Sequence, residues 1–428
     1  MALTMVNKYR VPGYLITVAL VLGAGLRGQA PAEAQAQARR IEELEKRVAE
    51  LERRLGEVLG KKPEPVKVAA PETKVETAAP AQAETRLPVS GYMDFHFNKP
   101  RGEPGQVDFH RFVLLFGHSF SDRIKFWSEL ELEHALVEGR EEKGELELEQ
   151  AYLDFLIRPY FNVRGGMLLA PVGLINERHE PPSFYGVERP FVDTVILPST
   201  WFDGGAGVFG DFGKGFRYKA YLMGTLDATG FDASEGVRGG RQKGFETSFR
   251  NPALTGRLEY HGVPRLALGT SLWRGSTGFN VPGVNPRVKI FEIDGRYRRG
   301  RFDVRGEFAQ VHISKARELN VAMQREGLHP NVAERLRGFY LEPAVRVLPR
   351  RFPHELALFA RYENFDTQNR MPRGYVPLKQ FDRTAWVLGA TYYPEPDVAL
   401  KFDYTFMRNA SAVVKAVSGV NVGIGWWF

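Results

Sequence analysis

The chain has 428 residues, of which 43% are apolar and 12% aromatic, with 44 glycines, no cysteine and a formal net charge of +7. The missing cysteines exclude disulfides, thiolate metal sites and cysteine nucleophiles. Lys8, Arg10 and Arg27 stand in the first thirty residues without an acid among them, so the positive excess of the remainder is small and nucleic-acid binding by bulk charge is not expected.

Residues 1–32 have the form of a secretory signal. Lys8 and Arg10 make a basic start, "GYLITVALVLGAGL" makes an apolar run too short to span a bilayer comfortably, and small residues near Ala30 offer a cleavage site. The alternative is an N-terminal membrane anchor. Residues 33–60 hold "IEELEKRVAELERRLGEVLG", in which Ile41, Leu44, Val48, Leu51, Leu55 and Val58 step by three and four. This predicts an α-helical coiled coil, with Arg40 and Arg47 at g positions facing Glu45 and Glu52 at e positions of a parallel partner. A single amphipathic helix on a partner is the other reading, and the seam does not decide between dimer and trimer. Residues 61–88, rich in Pro, Ala, Glu and Lys without a period, read as an extended linker.

From residue 89 to 428 the pattern changes to segments of about ten alternating residues separated by turns. In "DVALKFDYTF" Val398, Leu400, Phe402, Tyr404 and Phe406 share one face, opposite Ala399, Lys401, Asp403 and Thr405. Phe302, Val304 and Phe308 alternate with Asp303, Arg305 and Glu307, and Leu356, Leu358, Ala360 and Tyr362 with Glu355, Arg361 and Glu363. Ionised residues of both signs recur on the polar face, aromatics gather at segment ends, and short turns such as "GKG" alternate with long connections at 172–198, 228–250 and 314–336. These features favour an all-β, 16-stranded antiparallel transmembrane barrel over a soluble sandwich. Backbone groups in hydrocarbon need partners, so the sheet must close and "VNVGIGWWF" at the C-terminus must pair with the first strand, near residues 89–98.

One stretch joins two strand patterns through a Pro-rich connection too long for a turn. It carries Glu177, Arg178, His179, Glu180, Glu188 and Arg189, and a loop of this kind suits a constriction folded into the lumen. Its "APVG" and "ERPFVD", with glycines and an aromatic hairpin following, resemble the phosphate-selective porin O and P family, and the resemblance covers most of 89–428. It implies a passive channel, a homotrimer, the outer membrane of a Gram-negative bacterium as location and a periplasmic coiled coil. It also implies that Phe428 is the signal read by barrel assembly machinery. Outer-membrane lipid and lipopolysaccharide are the expected surroundings, and small anions or other hydrophilic solutes the expected cargo; the mixed acids and bases of the loop depart from the family's basic constriction, so phosphate selectivity is not carried over.

Alternation assigns Arg217, Lys219, Arg257, Arg296, Arg298, Arg305, Arg346, Arg361 and Lys401 to the lumen, where a row of cations could favour anions. The competing reading pairs these arginines with carboxylates such as Glu307, Glu342 and Glu363, or sets them against lipopolysaccharide at a rim. No enzymatic site and no cofactor are expected. "GAGVFG" matches a dinucleotide fingerprint only on paper, since it lies within a strand, His354 lacks the second histidine of a zinc protease helix, and no G-x-S-x-G occurs. A non-conducting barrel that anchors the coiled coil to periplasmic partners is the alternative function.

Overall fold

The computed structural model describes residue 46 and residues 89–135, 144–349 and 351–428. Lys46, within the heptad stretch, is helical. The rest of the expected signal segment, the coiled-coil core from Ile41 to Val58 and the linker lie outside the described residues.

The period-two sequence forms strands because it puts apolar side chains on one face and polar ones on the other. In chain order these are β1 (Val89–Pro100), β2 (Gln106–Ser119), β3 (Ile124–Glu133), β4 (Glu145–Arg158), β5 (Phe161–Leu169), β6 (Phe202–Phe212), β7 (Phe216–Met223) and β8 (Ala253–Tyr260). There follow β9 (Leu266–Ser276), β10 (Arg287–Arg299), β11 (Phe302–Ile313), β12 (Arg335–Arg346), β13 (Glu355–Arg370), β14 (Asp382–Glu395), β15 (Val398–Asn409) and β16 (Gly419–Trp427), with helix α1 (Ala316–Arg325) between β11 and β12. Every strand pairs antiparallel with its chain neighbours, and β16 returns to β1, so the sheet is a closed barrel.

The seam runs from Tyr92 opposite Trp427 to Pro100 opposite Gly419. Gly91 and Phe428 extend it by exchanging two backbone hydrogen bonds of 2.9 and 2.8 Å, and the Phe428 ring stacks on Phe112. A Cβ at Gly91 would lie 2.1 Å from the Val113 carbonyl oxygen and 2.8 Å from the Phe428 ring. We therefore expect Gly91→Val to force the seam apart, lowering the urea midpoint of the refolded barrel by the equivalent of about 1–3 kcal/mol. An unchanged midpoint would show that the seam tolerates a side chain there.

Connections alternate in length. Those at 120–123, 159–160, 213–215, 261–265, 300–301 and 396–397 are tight, whereas 170–201, 224–252 and 314–334 on the opposite end are long. With an even strand number, Val89 and Phe428 both lie at the short-turn end. Leu254, Leu272, Ile293, Leu400 and Phe402 point outward and are exposed, as a lipid-facing band requires.

The inner face departs from uniform polarity. Toward the short-turn end it carries Glu292, Asp294, Asp303, Arg305, Glu342 and Arg361, all buried. Toward the long-loop end Val288, Ile290, Val311, Ile313 and Leu336 also point inward and join Trp201, Trp273, Leu226, Phe231, Leu319 and Met323 in one apolar cluster. The long loops fold into this half of the barrel, and the apolar inner residues give them a surface to bury against.

Candidate functional site: a loop across the barrel interior

Residues 170–201, between β5 and β6, leave the sheet and cross the interior. A strand cannot continue there, because Pro171, Pro181, Pro182, Pro190 and Pro198 remove ladder donors. The departing end is fixed by Asn176, whose amide donates to the carbonyls of Ala170 and Trp201 at 2.8 and 2.9 Å and whose oxygen accepts from Trp201 N–H.

The tip reaches the opposite wall. Val187 N–H donates to Asp403 at 2.7 Å, Lys401 Nζ donates to the Gly186 carbonyl at 2.7 Å and lies over the Phe184 ring, and Tyr185 donates to Asp303 at 2.8 Å. Thr391 donates to the Tyr185 carbonyl. The return stroke runs as a single turn, Val192–Ile196, against β11, β12 and β13, with Val192 N–H donating to Glu363. The loop is thus tied to both sides of the barrel.

Most of the charged loop residues take separate local partners. Glu177 accepts from Lys219 at 2.6 Å, and Arg178 lies 3.8 Å from Glu259. His179 turns to the β3–β4 wall, where its Nε2 is 2.9 Å from Tyr92 Oη and 3.2 Å from Glu149. Burial, reinforced by Arg189, pushes its imidazole below the ordinary pKa, and burial pushes the Glu180 carboxyl up. Glu188 accepts from Asn98 and faces His96 at 3.1 Å. Burial opposes its charge, but the hydrogen bond and charge of His96 hold its carboxyl well below the usual range. Burial and the nearby Arg111 lower the Arg189 guanidinium, which donates to the His179 carbonyl at 3.4 Å.

Most of the cations expected in the lumen are committed to carboxylates. Arg296 and Arg298 both bind Asp303, at 2.6 and 3.0 Å. Arg305 and Arg361 share Glu342, and Arg361 also binds Glu363. Arg257 sits among Glu259, Glu292 and Asp294. Arg217 pairs with Asp211 and Arg346 with Glu355 near the short-turn end. The arrangement is a set of closed ion pairs within the wall, with the arginine charges already opposed by carboxylates.

Sequence reasoning missed the acidic side of the lumen. Glu129, Glu131 and Glu133 on β3 and Glu145, Glu147 and Glu149 on β4 alternate with leucines, and pairs such as Glu131 with Glu147 and Glu133 with Glu145 lie opposite one another. Arg111 answers Glu131, and Lys243 from the 224–252 loop reaches Glu145 and Glu147. The signal was present as two "ELELE" runs flanking one loop. The "GAGVFG" glycines belong to β6, where a Cβ at Gly207 would lie 2.1 Å from the Ala220 carbonyl oxygen, so close strand approach accounts for Gly207.

No family model matches the chain. An uncharacterized protein of Aquifex aeolicus (strain VF5) is 37% identical over 334 residues, 76% of each chain. Among solved structures, the anion-selective porin from Comamonas acidovorans aligns at 14% identity with a TM-score of 0.53, over 79% of this chain and 98% of its own. The outer membrane channel DcaP of Acinetobacter baumannii aligns at 10% identity and 0.52, over 79% and 96%. The trimer form of OmpT from Vibrio cholerae aligns at 11% and 0.50, over 79% and 98%. At these identities the likeness is one of fold, and the fold is that of an outer-membrane porin.

Proposed function

We propose that this chain, which belongs to the family of the uncharacterized Aquifex aeolicus protein, is an outer-membrane diffusion channel for small hydrophilic solutes that favours cations over anions. The observation that carries the reading is the tethered loop across a closed barrel, bordered by an acidic ladder on β3 and β4 while the arginines opposite are paired. A neutralised arginine row offers a passing anion little, whereas the six glutamates of β3 and β4 outnumber Arg111 and Lys243, the two cations in ion-pair contact with them. An anion preference, which the family resemblance implies, is the competing reading.

The test is a reversal potential across a planar bilayer in a potassium chloride gradient. The wild type should show the sign of a cation-preferring pore. Glu133→Gln, Glu145→Gln and Glu147→Gln together should lower the cation-to-anion permeability ratio several-fold, since each charge a few ångströms from the path is worth about 1 kcal/mol in a wet lumen. An anion-preferring wild type would overturn the assignment.

The remaining parts of the proposal follow the domain plan: a cleaved signal over 1–32, a periplasmic coiled coil over 33–60, a linker over 61–88 and the barrel over 89–428. The coiled coil would hold three barrels together, consistent with the trimer form described for the OmpT neighbour. Phe428 at the seam would serve as the assembly signal. Arg274, Lys289, His312 and Arg335 face outward in cross-strand register at the long-loop end, which suits contact with phosphate-bearing lipid such as lipopolysaccharide. A non-conducting anchor is the second reading, favoured by the apolar cluster that fills the long-loop half of the interior. Absence of single-channel conductance in a correctly folded barrel would select it.

A further inference from the structure

The inner wall holds a group of side chains in which one buried carboxylate has no hydrogen-bond partner, although Glu129 Oε2 beside it accepts from Gln150. Glu149 is fully buried, and neither of its carboxylate oxygens has a hydrogen-bond partner. Glu129, also buried, and His179 from the crossing loop complete the group, with the donor atoms of all three within 4.8 Å of one another.

The imidazole has a defined orientation. His179 Nδ1 lies 3.0 Å from the Asn176 carbonyl oxygen, which accepts only from a protonated Nδ1. Nε2 then carries a lone pair and points at Glu149 Oε2, 3.2 Å away, and Glu129 Oε1, 3.8 Å away. Tyr92 Oη is 2.9 Å from both Glu129 Oε1 and His179 Nε2, but its single hydrogen can satisfy only one of them. Nearby cations are engaged elsewhere: Arg111 lies 3.5 Å from Asp94 and 3.4 Å from Glu131, and Arg189 is turned to the His179 carbonyl. Among the described residues, three lone-pair groups therefore converge with no positive charge in ion-pair contact with Glu149.

We propose that Glu129, Glu149 and His179 bind one divalent first-row metal ion, zinc or a close equivalent, which pins the lumen-crossing loop to the β3–β4 wall. Two carboxylates and one imidazole are a donor set for such ions. Ligands about 2.1 Å from a tetrahedral ion stand about 3.4 Å apart, a spacing bracketed by the two measured separations from Nε2. The backbone carbonyl on Nδ1 is the outer-sphere acceptor that a metal-bound histidine ordinarily has. An access path is present as well. Side-chain exposure falls along the acidic ladder from 52% at Glu145 and 26% at Glu133, through 12% at Glu147, to 1% at Glu149. Inward residues on one strand are about 6.8 Å apart, and an entering cation would compete with Lys243 at Glu145 and Glu147 before it reaches Glu149.

The experiment uses the full chain in detergent, stripped with a chelator, incubated with zinc chloride and passed through gel filtration, with retained metal measured by mass spectrometry. The expected result is zinc retained by the wild type and binding weakened by at least about 100-fold in both Glu149→Gln and His179→Ala. His110→Ala, in the neighbouring group of Asp94, His96 and His110, should leave this binding in place. No retained zinc, or retention indifferent to Glu149 and His179, overturns the proposal. Should His179→Ala fail to fold, anomalous scattering from wild-type crystals soaked in zinc decides, through a peak among the three donors or a peak elsewhere or none. Conductance is not the readout, so a failure here and a failure of the channel assignment remain distinguishable.

Discussion

Glu342→Ala is expected to lower the unfolding free energy of the barrel by about 3–5 kcal/mol, the usual cost of removing one partner from a buried ion pair. Glu342 is fully buried on β12 and serves two guanidinium groups at once. Its Oε1 accepts from Arg305 Nε at 2.6 Å and its Oε2 from Arg361 Nη1 at 3.1 Å. Alanine leaves Arg305 without its carboxylate and Arg361 with Glu363 alone, both at 2% exposure or less. The damage extends to the loop, because Arg305 also donates to the Ser183 carbonyl and Arg361 to the Glu188 carbonyl. Urea unfolding of refolded barrel, followed by tryptophan fluorescence, measures the effect. Arg217→Ala provides the contrast: its pair with Asp211 is solvent-accessible and should be worth less than about 1 kcal/mol. Equal costs for the two variants would mean that the buried network contributes no more than a surface pair.

The second large effect is one of pH. Asp193 sits on the Val192–Ile196 turn, fully buried, and neither oxygen receives a hydrogen bond while it and the facing Glu307 are both ionised. Burial pushes its carboxyl up to about 8. A hydrogen bond with the facing Glu307 and the charge of Arg305 act against the rise, and the charges of Glu363 and Glu292 add to it. The folded state therefore keeps a proton that the unfolded chain gives up near pH 4. Its stabilising contribution is complete below pH 4 and is lost as pH rises toward 8. Asp193→Asn removes this titration and can donate to Glu307. Between pH 4 and 8 the wild type should lose about 2–4 kcal/mol relative to the variant, read as diverging urea midpoints. Parallel pH profiles would show that Asp193 ionises normally in the fold.

The barrel was legible because its rule is local. Alternation at Leu400, Lys401, Phe402 and Asp403 states which face meets lipid, and closure follows from the need to pair every backbone group. The inward direction of Arg296, Arg298 and Arg305 could be read in the same way. Their partners could not, since Asp303 and Glu342 become neighbours only through cross-strand register. The glutamates of β3 and β4 stand in two "ELELE" runs, but that they face one another across a hairpin depends on the register between the strands. The apolar half of the interior was hidden for a different reason. Val288 and Ile290 point inward like any lumen residue, and only the fold of the long loops over them makes that face a core.

The tethers of the crossing loop also set an order of events. Val187 and Gly186 find their partners, Asp403 and Lys401, 216 and 215 residues further along the chain. Contacts of such separation cannot form until nearly the whole sheet exists. The tip of the loop is therefore secured only as the barrel is completed, and the segment across the interior is among the last parts of the molecule to acquire its final form.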